Sequence, residues 1–217
     1  MILIPVKDLR NAKQRLAGVL PQRERTVLAR AMILDVLQTL LSWSHRPDVG
    51  VVTSDAYAEE LAREFRFRII PDRANLGETH AIEKATKFCQ ELGADSTLVI
   101  PGDIPLIQVS ELEEIMEAAP RTGSVLVPAA DGRGTNAALR SPANLFPLRF
   151  GNDSFKPHLA NARATGYPCV ILSLPGIALD VDNPQDLQAL AEAPGNTHSQ
   201  TLLRQWDVRE YPLASNE

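Results

Sequence analysis

The stretch VIPGDIPLI, residues 99–107, reads as a buried strand as far as Gly102 and then sets one carboxylate, Asp103, ahead of the turn-setting Pro105. An acidic side chain at the carboxyl end of a strand faces the ligand side of an open α/β sheet, where it can hold a divalent cation. A second acidic pair lies in GIALDVDNP, where Asp180 and Asp182 stand two apart. In extended backbone that spacing points both carboxylates to the same side, close enough to share a metal. Asp182 could instead cap a helix, but Asn183 suits that role better: Pro184 then falls at N1 and Asp186 at N3, ahead of Leu187 and Leu190. Carboxylate oxygens without Cys or His partners suit Mg²⁺ or Mn²⁺ rather than Zn²⁺.

The cations cluster elsewhere. After the opening MILIPV comes KDLRNAKQRLA, which puts Lys7, Arg10, Lys13 and Arg15 into one loop of a chain with 22 Lys and Arg against 27 Asp and Glu. Such a cluster suits a polyphosphate, or is simply a solvated basic loop. Neither GxGxxG nor GxxxxGK[ST] is present, which disfavours a dinucleotide site or a P-loop. An aspartyl-phosphate mechanism would need its DxD after the first strand, which here ends in Pro5, Val6 and Lys7. Cations after the first strand and carboxylates after central and late strands fit electrostatic phosphoryl or nucleotidyl transfer.

The elements that must position these groups alternate. Apolar strand-like runs (MILIPV, VGVVTSD, FRIIPD, STLVIPGD) are separated by helical patterns at residues 21–43, AYAEELAREF, residues 79–92 and SELEEIMEAA. This βαβα order predicts a mostly parallel sheet covered on both faces. In the first helix Pro21 is expected at N1, with Val27, Leu28, Ala31, Leu34, Leu37 and Leu41 facing the core, and Ser110 with Glu113 is expected to form a capping box. Beyond residue 123 the pattern changes to SVLVPAA, a DGRGT turn, NAALR and an irregular FPLRFGNDSF, an interruption typical of an inserted substrate subsite.

With 217 residues, 44% hydrophobic, one domain over residues 1–193 and a C-terminal tail over 194–217 are expected. Leu202, Leu203 and Trp206 in that tail suit packing on this chain or on a second copy, which makes a homodimer reasonable. The net charge of −5 argues against nucleic-acid binding. No run is long enough to cross a membrane, the opening run is too short for a signal peptide, and Cys89 and Cys169 form no CxxC pair. A cytoplasmic location follows as the expectation.

Taken together, PVKDLRNAKQRLA, VIPGDIPL, GRGTNAAL, FGNDSFKPHLANARA and LPGIALDVDNPQDL resemble, in order over residues 1 to about 190, the guanylyltransferases that build the side chain of a deazaflavin coenzyme. The resemblance implies a three-layer, Rossmann-like nucleotidyltransferase fold of the glycosyltransferase-A type with a mostly parallel mixed sheet. It also implies a reaction: GTP and a small phosphorylated carboxylic acid give a GDP-linked acid and pyrophosphate. Candidate acids are 3-phospho-D-glycerate, 2-phospho-L-lactate and phosphoenolpyruvate. By the same resemblance Asp103, Asp180 and Asp182 would bind the divalent metals, Lys7, Lys13 and Arg15 would face the triphosphate, and Thr135, Gly151 and Ser154 would hold the acid.

Read by themselves, several of these residues have plainer roles. Thr135 and Asn136 could simply end the DGRG turn, Ser154 could cap the helix FKPHLANARA, and Gly151 could serve a backbone bend. Lys156 is a further candidate phosphate contact, and His158 reads as a surface or packing residue. Where relatives carry a GLNAAL-like segment this chain has NLGETHAIEKA, residues 75–85, and Glu78 could accept hydrogen bonds from guanine. Two other readings compete. A nucleotidyltransferase for another acceptor, such as a molybdopterin or sugar phosphate, would normally carry LAGGxxxRxG after the first strand. A non-catalytic binding module would be expected to have lost its metal carboxylates, yet all three are present.

Overall fold

A computed structural model describes residues 1–74, 76–151 and 153–206. The elements run β1 (Ile2–Val6), α1 (Gln22–Ser42), β2 (Val49–Thr53), α2 (Ala56–Glu64), β3 (Arg68–Pro71), α3 (Glu78–Glu91), β4 (Thr97–Val99) and α4 (Val109–Ala118). They continue with β5 (Gly123–Pro128), β6 (Thr135–Ser141), α5 (Phe155–Ala164), β7 (Cys169–Ile171), α6 (Pro175–Ala178), α7 (Pro184–Glu192) and α8 (His198–Gln205). One seven-stranded sheet has the order β3-β2-β1-β4-β6-β5-β7. Among the described strands, only β6 runs against its neighbours, pairing antiparallel with both β4 and β5.

Alternation along β1 explains the layers. Ile2, Ile4 and Val6 join a core with Leu28, Met32 and Leu37 of α1 on one face, while Leu3 joins Ile82 and Ala85 of α3 on the other. The sheet is therefore covered on both sides, as the residue pattern predicts, and its three-layer mixed build is the one the resemblance implies. Strand order reverses between β1 and β4: β2 and β3 build outward on one side of β1, and the chain then returns to its other side. Open α/β sheets bind ligands outside the carboxyl ends of the strands at such a switch point. The same edge also receives the start of β6, because an antiparallel strand begins where its parallel neighbours end.

Local expectations are met with some shifts. Asn183 caps α7, its Oδ1 accepting from the Asp186 N–H at 3.0 Å. Helix α1 starts at Gln22, with Pro21 in extended backbone as the cap rather than at N1. Val27 and Leu41 of α1 are exposed instead of core-facing, since they lie at the margin of the buried stripe. The box at α4 is formed by Gln108 and Glu111, not by Ser110 and Glu113. Glu111 accepts from the Gln108 N–H at 3.1 Å and from the Gly176 N–H at 2.7 Å, so a contact with α6 selects where the helix begins.

Within the stretch expected as a tail, α8 packs on α1. Leu203 enters the main core, and buried Asp35 of α1 accepts from the backbone N–H groups of His198 and Ser199 at 2.7 and 2.9 Å. Acceptance at a helix N-terminus suits a carboxylate. Residues 207–217 lie outside the described residues. Among those described, no helix is long and apolar enough to cross a membrane.

Candidate active site

The loop after β1 folds back through two short 3₁₀ turns, Leu9–Asn11 and Gln14–Leu16. Lys13 joins them with φ 55° and ψ 46°, a left-handed conformation that non-glycine residues adopt at a cost. Its side chain is 8% exposed, and its Nζ donates to Asp103 Oδ2 at 2.6 Å and to Asp182 Oδ1 at 2.9 Å. Arg15 reaches the other oxygen of Asp182 at 3.2 Å. Burial opposes the charge on Lys13, yet Asp103 and Asp182 outweigh it and hold its pKa above the ordinary value. Burial likewise works against the Asp182 carboxylate, but Lys13 and then Arg15 keep its pKa below the usual range.

These groups form the wall between two cavities. One, of about 400 Å³, opens between the loop after β1, α1 and Gly102. The other, of about 370 Å³, lies over Thr135, Gly151, Ser154 and Asp180. Lys7, Arg15, Glu78, Asp103 and Asp182 border both. Lys7 is 67% exposed and pairs with Glu78 at 3.4 Å. Burial raises the Glu78 pKa, Lys7 opposes the rise, and the negative charge of Asp103 adds to it. Glu78 thus stands beside Lys7 where the two cavities meet. Arg10 folds onto Asp8, its Nη2 donating at 2.6 Å, and borders neither cavity.

On the second cavity, buried Asn136 at the start of β6 donates to Asp180 Oδ1 at 2.9 Å and to the carbonyls of Ile177 and Ala178, both at 3.0 Å. It ties the late acidic segment to the sheet, a task beyond ending a turn. Burial pushes the Asp180 pKa up to about 6; the Asn136 hydrogen bond opposes that, and the charges of Asp103 and Asp182 reinforce it. Thr135 Oγ1 lies 3.3 Å from Ser154 Oγ and 2.9 Å from His158 Nδ1. Ser154 precedes α5 but makes no side-chain cap bond. Gly151, at φ 133°, borders the cavity in a conformation that favours glycine. His158 is fully buried rather than on the surface. Lys156 is exposed and borders neither cavity.

Sequence reasoning missed three residues here: Asn136 as an anchor, His158 as a polar partner, and Arg133, which borders the second cavity and pairs with Asp131 at 3.0 Å. A signal did exist for Asn136. An amide within the apolar run of a central strand must find buried partners.

The donor set fits a hard divalent cation. Two carboxylates already converge on one positive centre, Lys13 Nζ, and a third, the half-buried Asp180, lies close enough to feel both. Among the described residues no three acidic, His or Cys side chains form a ready-made metal cage. A Mg²⁺ ion would take one or two of these carboxylates and complete its shell with phosphate oxygens and water.

Over residues 1–215 the sequence matches the family described as Guanylyl transferase CofC like. The chain belongs to this family. The CofC-like chain is 35% identical over 211 residues to a phosphoenolpyruvate guanylyltransferase of Conexibacter woesei, with 94% of each chain covered. A 3-phospho-D-glycerate guanylyltransferase of Colwellia psychrerythraea is 32% identical, covering 88% of this chain and 90% of that one. A 2-phospho-L-lactate guanylyltransferase of Methanothermobacter thermautotrophicus is also 32% identical, covering 93% and 88%. In structure the CofC-like chain resembles a nucleotide-diphospho-sugar transferase from Desulfovibrio desulfuricans, with a TM-score of 0.80 at 21% identity and 97% and 96% coverage. That likeness bears on the fold. The fold class, the family and nucleotidyl transfer as the class of enzyme thus agree with the expectation from sequence.

Proposed function

We propose that this CofC-like chain transfers the guanylyl group of GTP to the phosphate of a three-carbon phosphorylated acid, with phosphoenolpyruvate first among the candidates, in the assembly of a deazaflavin coenzyme. The observation that carries the reading is the position of Asp103. It borders both cavities and shares one cation with Asp182, so the two substrates meet across a wall of paired charges. The choice of phosphoenolpyruvate is supported by the 35% identical Conexibacter woesei relative; 3-phospho-D-glycerate and 2-phospho-L-lactate follow from the relatives at 32%.

In this reading an acceptor phosphate oxygen attacks the α-phosphorus of GTP. The new P–O bond forms as the bond from the α-phosphorus to the bridging oxygen breaks, and pyrophosphate leaves with that electron pair. The nucleophile is already anionic, so no general base is required. What the chain must supply is alignment of two polyanions and relief of their repulsion. Asp103, Asp182 and Asp180 would hold Mg²⁺, which supplies charge neutralisation between the phosphates. Lys13, Lys7 and Arg15 exchange carboxylate partners for triphosphate oxygens. Thr135, Ser154 and the backbone at Gly151 hold the acid, and Asn136 orients Asp180.

Purified protein incubated with GTP, Mg²⁺ and each of the three acids separately tests this. Pyrophosphate release is expected with phosphoenolpyruvate. Release with a different one of the acids reassigns the acceptor, and silence with all three, from protein that binds Mg²⁺–GTP, removes this acceptor class.

A further inference from the structure

The second cavity rests on a buried polar relay whose direction the structure fixes. His158 Nε2 accepts the backbone N–H of Arg149 at 2.7 Å. A ring nitrogen that accepts carries no proton, so the neutral imidazole must hold its hydrogen on Nδ1. Nδ1 lies 2.9 Å from Thr135 Oγ1 and therefore donates to it. Protonating the ring would put a second hydrogen on Nε2, against the Arg149 N–H. Burial, with the charge of Arg140 adding to it, pushes the His158 pKa down to about 4, so the neutral ring persists at physiological pH.

Counting hydrogens gives the consequence. Thr135 and Ser154 own two hydroxyl hydrogens, and one is spent between them at 3.3 Å. With His158 as donor the other hydrogen stays unspent, whichever way the hydroxyl pair is turned, and both residues border the cavity. Were the ring in the other tautomer, Nδ1 would consume that hydrogen and the pair would present only lone pairs. An anion needs the first arrangement.

We propose that His158 is a positioning residue that sets Thr135 and Ser154 as a hydrogen-bond donor to the anionic acceptor acid, through a tautomer locked by the backbone of Arg149. The inference rests on the reading that this cavity takes the acid. It reaches further, since it makes the polarity of the pocket a property of a side chain that itself never touches substrate. The Phe150 ring stands edge-on to His158 with centroids 5.2 Å apart, which restricts the imidazole from turning.

Two measurements decide the matter. Nitrogen-15 NMR of the imidazoles in the substrate-free protein is expected to show one histidine in the Nδ1–H tautomer between pH 6 and 8, its signal lost in H158Q; finding His158 as Nε2–H overturns the proposal. This readout needs no turnover, so it stands apart from the assignment of the acceptor. In steady-state assays with the acid that the wild type turns over, H158L is expected to raise the acceptor KM by about 10- to 100-fold, the range seen when an orienting partner is lost. The GTP KM should stay within about twofold. H158Q, whose amide can both accept from Arg149 and donate to Thr135, should recover most of the loss. In a T135V background, H158L should add nothing to the acceptor KM. Equal effects on both substrates, or additivity with T135V, would show that His158 only packs. Should H158L fail to fold, H158A in the wild-type and T135V backgrounds carries the same comparison.

Discussion

On the β1 side of the cleft, Lys13 is gripped by two carboxylates at 2.6 and 2.9 Å, with Arg15 on the far oxygen of one of them. On the β6 side, Thr135 meets, among the described residues, a hydroxyl and a neutral imidazole. On the proposed function, this difference lets one cleft handle two anions. A polyphosphate arriving with a metal brings enough charge to repartner an ion cluster, so the β1 side can be built from groups that satisfy one another until substrate comes. A small acid brings less, and each loose rotor would cost it affinity. In that reading its side of the cleft is instead set in advance by the His158 ring, whose Nε2 is held by the Arg149 N–H.

The largest break should come where the two sides meet. D103N is expected to lower kcat by about a thousandfold, the worth of several kcal/mol of charge stabilisation, with the fold intact by circular dichroism. Next comes the anchor that ties the late acidic segment to the sheet. N136A removes the amide that donates to Asp180 and to two carbonyls, so a loss of about 10- to 100-fold in activity is expected, with a raised Mg²⁺ requirement in the same assays.

The pH dependence of stability sharpens the comparison with a smaller effect. The His158 pKa is depressed to about 4 in the folded chain, from an ordinary value of 6.5. Between those values the unfolded chain binds the extra proton, so this group favours folding more as pH rises from 4 to 6.5 and its stability contribution is lost on acidification. Asp180, raised to about 6, acts with the opposite sign over a similar window, favouring the folded state as pH falls. Urea titrations of wild type and H158Q from pH 4.5 to 7 separate them. The difference in stability between the two proteins should narrow toward low pH, while the Asp180 contribution is common to both and cancels.

How far the sequence reached follows the same division. Asp103, Asp180 and Asp182 were legible because each ends or interrupts an apolar run, and strand ends are where α/β sheets keep their ligands. The helix cap at Asn183 was legible because its partners lie within three residues. The contacts of His158 were not, since they join a backbone N–H nine residues earlier to a hydroxyl 23 residues earlier. Asn136 finds Asp180 only across 44 residues of chain. The cap of helix α4 falls at Gln108, two residues before the expected Ser110, because Glu111 also bonds Gly176, 65 residues on. The acidic Asp35, inside an otherwise core-facing helix, marked the docking of α8 only once both partners could be seen together. Local rules place the charges; long-range pairing decides what each polar neighbour does to them.

The most direct test of the two-sided cleft is calorimetric binding of Mg²⁺–GTP and of the acceptor acid, each alone, to wild type and T135V. The account predicts that T135V weakens the acid by tenfold or more, on the scale of about 1.4 kcal/mol, and leaves Mg²⁺–GTP within twofold. Weakened GTP with undiminished acid binding would contradict it, because Thr135 would then belong to the nucleotide side.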